Sequence, residues 1–177
     1  KENTSAVVFL LMDVSGSMTQ ERKFLARSYF FLMYQFLRHR YENIEVVFIS
    51  HTTTAKIVTE DEFFKRISIG GTMISSALEL QLELVRKQYH PNSWNIYTFY
   101  CGDGENWMDD NIRAIELMRE LKEINQLFVY TEINERAVIA GEEDTIIDWH
   151  NPDFAAWNES MPDSLWTLVT QFLGDKF

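Results

Sequence analysis

Three short stretches of the chain set oxygen-bearing side chains among glycines: "DVSGS" (Asp13 to Ser17), "GGT" (Gly70 to Thr72) and "GDG" (Gly102 to Gly104). Together they offer the carboxylates of Asp13 and Asp103 and the hydroxyls of Ser15, Ser17 and Thr72. An all-oxygen set of this kind suits a hard cation such as Mg2+ or Mn2+ and needs neither imidazole nor thiolate. Two carboxylates neutralise a divalent ion without overcharging it, and neutral hydroxyls fill coordination positions while donating little charge. The ion stays electrophilic, so a position left to water can accept a carboxylate from a partner.

Other chemistries fit these residues less well. A nucleophile elbow needs Gly-x-Ser-x-Gly, whereas Ser15 has Asp13 two residues before it and Ser17 two after. A phosphate loop ends in Lys-Ser or Lys-Thr after a glycine-rich run, and the chain has none. An Asp-x-Asp phosphatase needs a carboxylate at position 15, where a serine stands. Taken alone, Asp-x-Ser-x-Ser also fits a turn or a helix cap. The metal reading gains its force from the three stretches together, and so depends on a fold that brings them to one place.

The pattern of the chain supplies such a fold. Residues 6–12 (AVVFLLM) form a continuous apolar run, as in a strand covered on both faces of a parallel sheet. Further strands are predicted at 44–50, 55–59, 95–101 and 126–133, the one at 55–59 alternating enough to sit at an edge. Helices are predicted at 20–40, 73–89, 109–123 and 163–173, and "DFAAW" (153–157) is read as a last short strand. Between Phe24 and Leu37 apolar residues nearly encircle the first helix, which predicts that it is mostly buried. Residues 134–150 show no period and are read as loop. Strands alternating with helices predict an α/β fold: a doubly wound, mostly parallel sheet with one antiparallel edge strand and helices on both faces. Ligands in such sheets bind at the carboxyl ends of the strands, where the three oxygen-rich stretches fall.

Bulk properties agree with one compact unit. The 177 residues are 46% hydrophobic and 14% aromatic, with only 7 Gly and 3 Pro and no repeat, which suits a single domain spanning 1–177. The chain opens at Lys1 with no signal-peptide pattern and reads as the carboxyl-terminal part of a longer protein. One cysteine, Cys101, rules out an internal disulfide and suits the cytoplasm. "SYFFLMYQFL" (28–37) is about half the length a membrane span needs. The net charge of -11 belongs to the back half: residues 1–100 carry 11 Lys/Arg against 10 Asp/Glu, and 101–177 carry 5 against 17. Without a basic stripe, such a surface argues against nucleic-acid binding.

At this point the residues resemble the metal-ion-dependent adhesion site (MIDAS) of von Willebrand factor A (VWA) domains, built from Asp-x-Ser-x-Ser, a threonine and an aspartate around one cation. The resemblance implies that Asp13, Ser15, Ser17, Thr72 and Asp103 are the five metal positions, with Mg2+ or Mn2+ as the ion. A likeness over almost the whole chain, through "MDVSGSM", "ARSYFFLMYQFLRHRYENIEVVFISHTTTAK", "GGTMISSALEL" and "NSWNIYTFYCGDGENW", is to the bacterial YhbH/YeaH family of sporulation or stress-response proteins. That family implies an amino-terminal region absent here and, by association, a PrkA-type serine kinase as partner; it brings no enzymatic activity with it. Gly102 departs from the Ser-Asp-Gly expected in the third loop, and 135–151 departs from the family altogether.

Around the five positions, His51, Glu105, Asn106 and Trp107 are read as the rim that a partner touches, although His51 equally fits a hydrogen-bonded structural histidine. Cys101 is read as a buried strand residue, and Trp149, Trp157 and Trp166 as core or loop anchors. The function expected is a metal-dependent protein-interaction domain, not an enzyme. Two alternatives stay open: a metal-dependent phosphohydrolase with His51 as base, and a scaffold whose metal site is vestigial and whose partner docks on the acidic half.

Overall fold

The structure, a computed structural model, describes residues 5–38, 41, 43–65 and 70–133. The expected loop at 134–150, the strand at 153–157, the helix at 163–173 and the three tryptophans beyond Asp148 lie outside the described residues.

Among the described residues five strands form one sheet: β1 (Ser5–Asp13), β2 (Asn43–His51), β3 (Ala55–Val58), β4 (Asn95–Gly102) and β5 (Leu127–Glu132), in the order β3-β2-β1-β4-β5. β1 pairs in parallel with β2 and β4, β5 pairs in parallel with β4, and β3 runs antiparallel to β2 at the edge. The expected α/β architecture is therefore present, with the expected strand as its antiparallel edge.

β1 is central because both of its faces are apolar, and its two side-chain sets build two cores. Val7, Phe9 and Leu11 face one layer, formed by α3 (Ile74–Lys87) and α4 (Asn111–Ile124) through Ile74, Leu78, Leu82, Leu117 and Leu121. Ala6, Val8, Leu10 and Met12 face the other, where α1 (Gln20–Arg38) and α2 (Glu60–Lys65) contribute Ala26, Phe30, Leu37 and Phe63. Burying each such side chain contributes about 1.5–3 kcal/mol.

Two local features differ from expectation. α2 was not predicted, yet Thr59 and Glu62 form a reciprocal capping box: the Thr59 amide donates to Glu62 Oε2 at 2.9 Å, and the Glu62 amide donates to Thr59 Oγ1 at 3.3 Å. The "TEDE" spacing carries that signal in the sequence. α1 is not mostly buried, because Phe24 (67% exposed) and Leu32 (62%) stand in solvent while Ala26, Phe30 and Leu37 pack on the sheet. Apolar composition all round a helix does not decide how many faces find a neighbour. Among the described residues no helix is long and apolar enough to cross a membrane.

The register β1–β2–β4 positions the site. Asp13 lies opposite His51, and Met12 opposite Cys101, so the chain leaves all three central strands at one edge. Truncating the centre of this arrangement, as in Leu11→Ala, is expected to cost about 2–5 kcal/mol of stability, read as a lowered urea midpoint.

Candidate metal centre

Asp13 is the last residue of β1 and has no solvent exposure. Burial pushes its carboxyl pKa up, while the Ser15 amide pulls it back. That amide donates to Oδ1 at 2.7 Å, and the Thr72 hydroxyl donates to Oδ2 at 3.3 Å across 59 residues of sequence. Ser15 Oγ lies 3.1 Å from Ser17 Oγ. Ser15 and Thr72 are buried, and Ser17 is half-buried.

Asp103 follows β4, and its side chain is 2% exposed. It reaches the same cluster through Arg22 in the first turn of α1. Arg22 Nη1 donates to Asp103 Oδ2 at 3.0 Å and to the Ser17 carbonyl at 2.8 Å. The Glu105 amide donates to Asp103 Oδ1 at 3.1 Å. The three stretches singled out in the sequence thus meet.

The loops bearing Thr72 and Asp103 are fastened to each other. Met73, at the N-cap of α3, makes no side-chain cap, so the exposed amides of the helix start are met from the β4 loop. Asn106 Oδ1 accepts from the Ile74 amide at 3.0 Å, and Asp110 accepts from the Ser75 amide at 3.0 Å and from the Ser75 hydroxyl. The Trp107 amide donates to the Thr72 carbonyl at 3.1 Å, and the Met73 amide to the Thr52 carbonyl at 2.8 Å. Each bond removes a way for Thr72 to move relative to Asp103 and Asp13.

The rim residues separate. Trp107 is 53% exposed, and its indole packs against Gly71, where a Cβ would fall 2.4 Å from Nε1. Glu105 is exposed. Gly71, Thr72, Glu105, Trp107 and Met108 line a cleft of about 380 Å3 beside the oxygen cluster. Asn106 is half-buried and works as the helix cap. His51, expected at the rim, is buried. Its Nδ1 lies 3.3 Å from the Thr52 carbonyl, which can only accept, so Nδ1–H donates there and Nε2 accepts from the Tyr100 hydroxyl at 3.1 Å. Burial lowers its pKa, and a buried imidazole with both nitrogens engaged cannot meet a partner. Tyr100 also accounts for Gly102. A Cβ there would stand 3.0 Å from the Tyr100 hydroxyl, which takes up the space a serine side chain would need.

Residues the sequence reading missed complete the surroundings. Arg22 and Lys23 occupy the first turn of α1, where the helix dipole disfavours cations. Two adjacent basic residues at a helix start, against the dipole, are a readable request for carboxylate partners. Glu132, at the end of β5, packs its carboxyl on Gly104, whose φ of 84° and lack of a Cβ allow the contact. Burial, then the charge of Asp103, raises the Glu132 pKa to about 7. Its Oε2 is buried and has no hydrogen-bond partner among the described residues.

The donor set fits a hard divalent cation. Two carboxylates and three hydroxyls make an all-oxygen set, the donor chemistry such an ion takes. Asp13, Ser15, Ser17, Thr72 and Asp103 would hold the ion.

Comparison with known proteins places the chain. The model of the family described as "Protein of unknown function (DUF444)" matches residues 1–173. The chain belongs to this DUF444 family. A relative called UPF0229 protein from Ruminiclostridium cellulolyticum is 56% identical over 133 residues, covering 75% of this chain and 33% of the relative. A UPF0229 protein of Clostridium perfringens is 47% identical over 133 residues, covering 75% and 34%. The chain therefore spans about a third of the length of these relatives. Among solved structures, the manganese-loaded TRAP protein of Plasmodium vivax superposes with a TM-score of 0.52 at 12% identity, covering 81% of this chain and 66% of that one. At that identity the likeness is one of fold, and the fold of this DUF444 member is VWA-like.

The Glu132 environment has a pH signature. With its folded-state pKa raised from an ordinary 4.5 to about 7, the native state favours the protonated acid. Stability is full below 4.5, falls as pH rises toward 7, and is level above that. In chelator, Glu132→Gln is expected to melt with wild type near pH 4.5 and above it at pH 8. An equal gap at both pH values would contradict this environment.

Proposed function

We propose that the chain is a cation-dependent protein-binding module whose site is of the MIDAS type, formed by Asp13, Ser15, Ser17, Thr72 and Asp103. The observation that carries this reading is the Thr72 Oγ1 to Asp13 Oδ2 contact of 3.3 Å, which joins two separate loops in one buried oxygen cluster at the edge of an open cleft. A bound Mg2+ or Mn2+ supplies a Lewis-acidic position for an acidic side chain of a partner protein. Asp13 and Thr72 set the cluster at the strand ends, and Trp107, held against Gly71 yet half open to solvent, offers the partner an apolar contact beside it.

A binding role is favoured over hydrolysis because the base a hydrolase would draw on is not accessible. His51 is 1% exposed and has both ring nitrogens hydrogen-bonded. The sequence resemblance to YhbH/YeaH proteins supports a role in a stress-response or sporulation pathway and makes a PrkA-type serine kinase the first partner to try.

Asp13→Ala and Thr72→Ala are each expected to abolish Mn2+ binding measured by calorimetry, since each removes a donor that another loop depends on. Unchanged affinity in both variants would sink the metal reading. Capture of the partner in a pull-down is expected to be lost in EDTA and restored by excess Mg2+. Capture that is indifferent to EDTA but weakened by salt would favour docking on the acidic surface instead.

A further inference from the structure

We propose that Arg22 is a resident counter-cation of the metal centre, which competes with the divalent ion for Asp103 and so sets how much of the ion is needed to load the site. The inference rests on the metal reading above. A single nitrogen, Nη1, bridges the Ser17 carbonyl (2.8 Å) and Asp103 Oδ2 (3.0 Å), one residue part of the Asp-x-Ser-x-Ser loop and the other the third-loop carboxylate. The other oxygen of Asp103 accepts from the Glu105 amide, so both are engaged. The pair is largely shielded from water, with the Arg22 side chain 18% exposed and that of Asp103 2%. Shielding makes the charge of Arg22 count far more than it would at the surface.

The position of Arg22 supports the same conclusion. A cation in the first turn of α1 opposes the helix dipole, so its stabilisation comes from the carboxylate it faces. The neighbouring Lys23 is 2% exposed, and the charge of Asp13 counteracts the effect of burial on it. Asp13 and Asp103 are thus faced by two cations from one helical turn, and a divalent ion must enter against that positive charge. Once loaded, the site carries more positive charge than its five donors alone would leave, which favours an acidic side chain arriving from a partner.

The test uses the full-length protein titrated with Mn2+ by calorimetry, with Asp13→Ala as the blank. Arg22→Gln, which keeps a hydrogen-bonding end but no charge, is expected to bind Mn2+ about tenfold tighter or more. It should also melt lower in EDTA and gain more from Mn2+ than wild type does. Arg22→Lys retains the charge, and because one nitrogen makes both contacts, it is expected within about threefold of wild type. In wild type, Mg2+ should shift the guanidinium 15N resonance that disappears in Arg22→Lys. This readout does not depend on the Gln variant folding. Equal or weaker binding by Arg22→Gln with a normal wild type, or a resonance unmoved at saturating Mg2+, overturns the counter-cation and leaves the metal site standing. Absence of binding by wild type and Arg22→Gln alike overturns the metal site, and the counter-cation with it.

Discussion

A carboxylate with no solvent exposure at the end of the central strand is the constraint around which this structure is arranged. Burying Asp13 carries a desolvation cost of several kcal/mol for the ionised form, and only hydrogen bonds and opposite charge offset it. The compensation comes from three directions: the Ser15 amide of its own loop, the Thr72 hydroxyl from the loop before α3, and the field of Lys23 from α1. None of these is a local consequence of β1. They require the parallel pairing of β1 with β2 and β4, which brings the loops to one sheet edge.

Rigidity follows from how the loops satisfy one another. α3 starts without a cap of its own, and the β4 loop provides one through Asn106 and Asp110, so a helix start that would otherwise leave amides unmet becomes the fastening between two site loops. The same loop carries Asp103 at its beginning. Any displacement of Asp103 from Thr72 therefore costs hydrogen bonds at the head of α3. A set of neutral hydroxyls, weak donors singly, depends on such preorganisation to hold an ion. The Trp107 indole seated on Gly71 extends the same rigid surface outward to the cleft.

At this centre Asp103 is paired with Arg22 and Asp13 lies in the field of Lys23, while the His51 imidazole is turned inward to Tyr100 and the Thr52 carbonyl. What faces the cleft is a mixture of backbone, carboxylate, amide, thioether and indole, from Gly71, Glu105, Asn106, Met108 and Trp107. The chain belongs to the DUF444 family, has a VWA-like fold and spans about a third of the length of the relatives it matches.

Much of this was legible in the residues. The apolar run of β1, the alternation of strands and helices, the edge strand and the five oxygen-bearing positions are local patterns, each dictated by side-chain chemistry and period. The capping box of α2 was also written there, in Thr59 and Glu62. What sequence could not decide is which side chains share a desolvated space. Whether His51 faces a partner or Tyr100, whether Phe24 and Leu32 find cover, and which carboxylate Arg22 meets depend on contacts between segments far apart in the chain. A residue's type determines what it can bond. Only the packed sheet, by excluding water from one edge, decided which of those bonds are made.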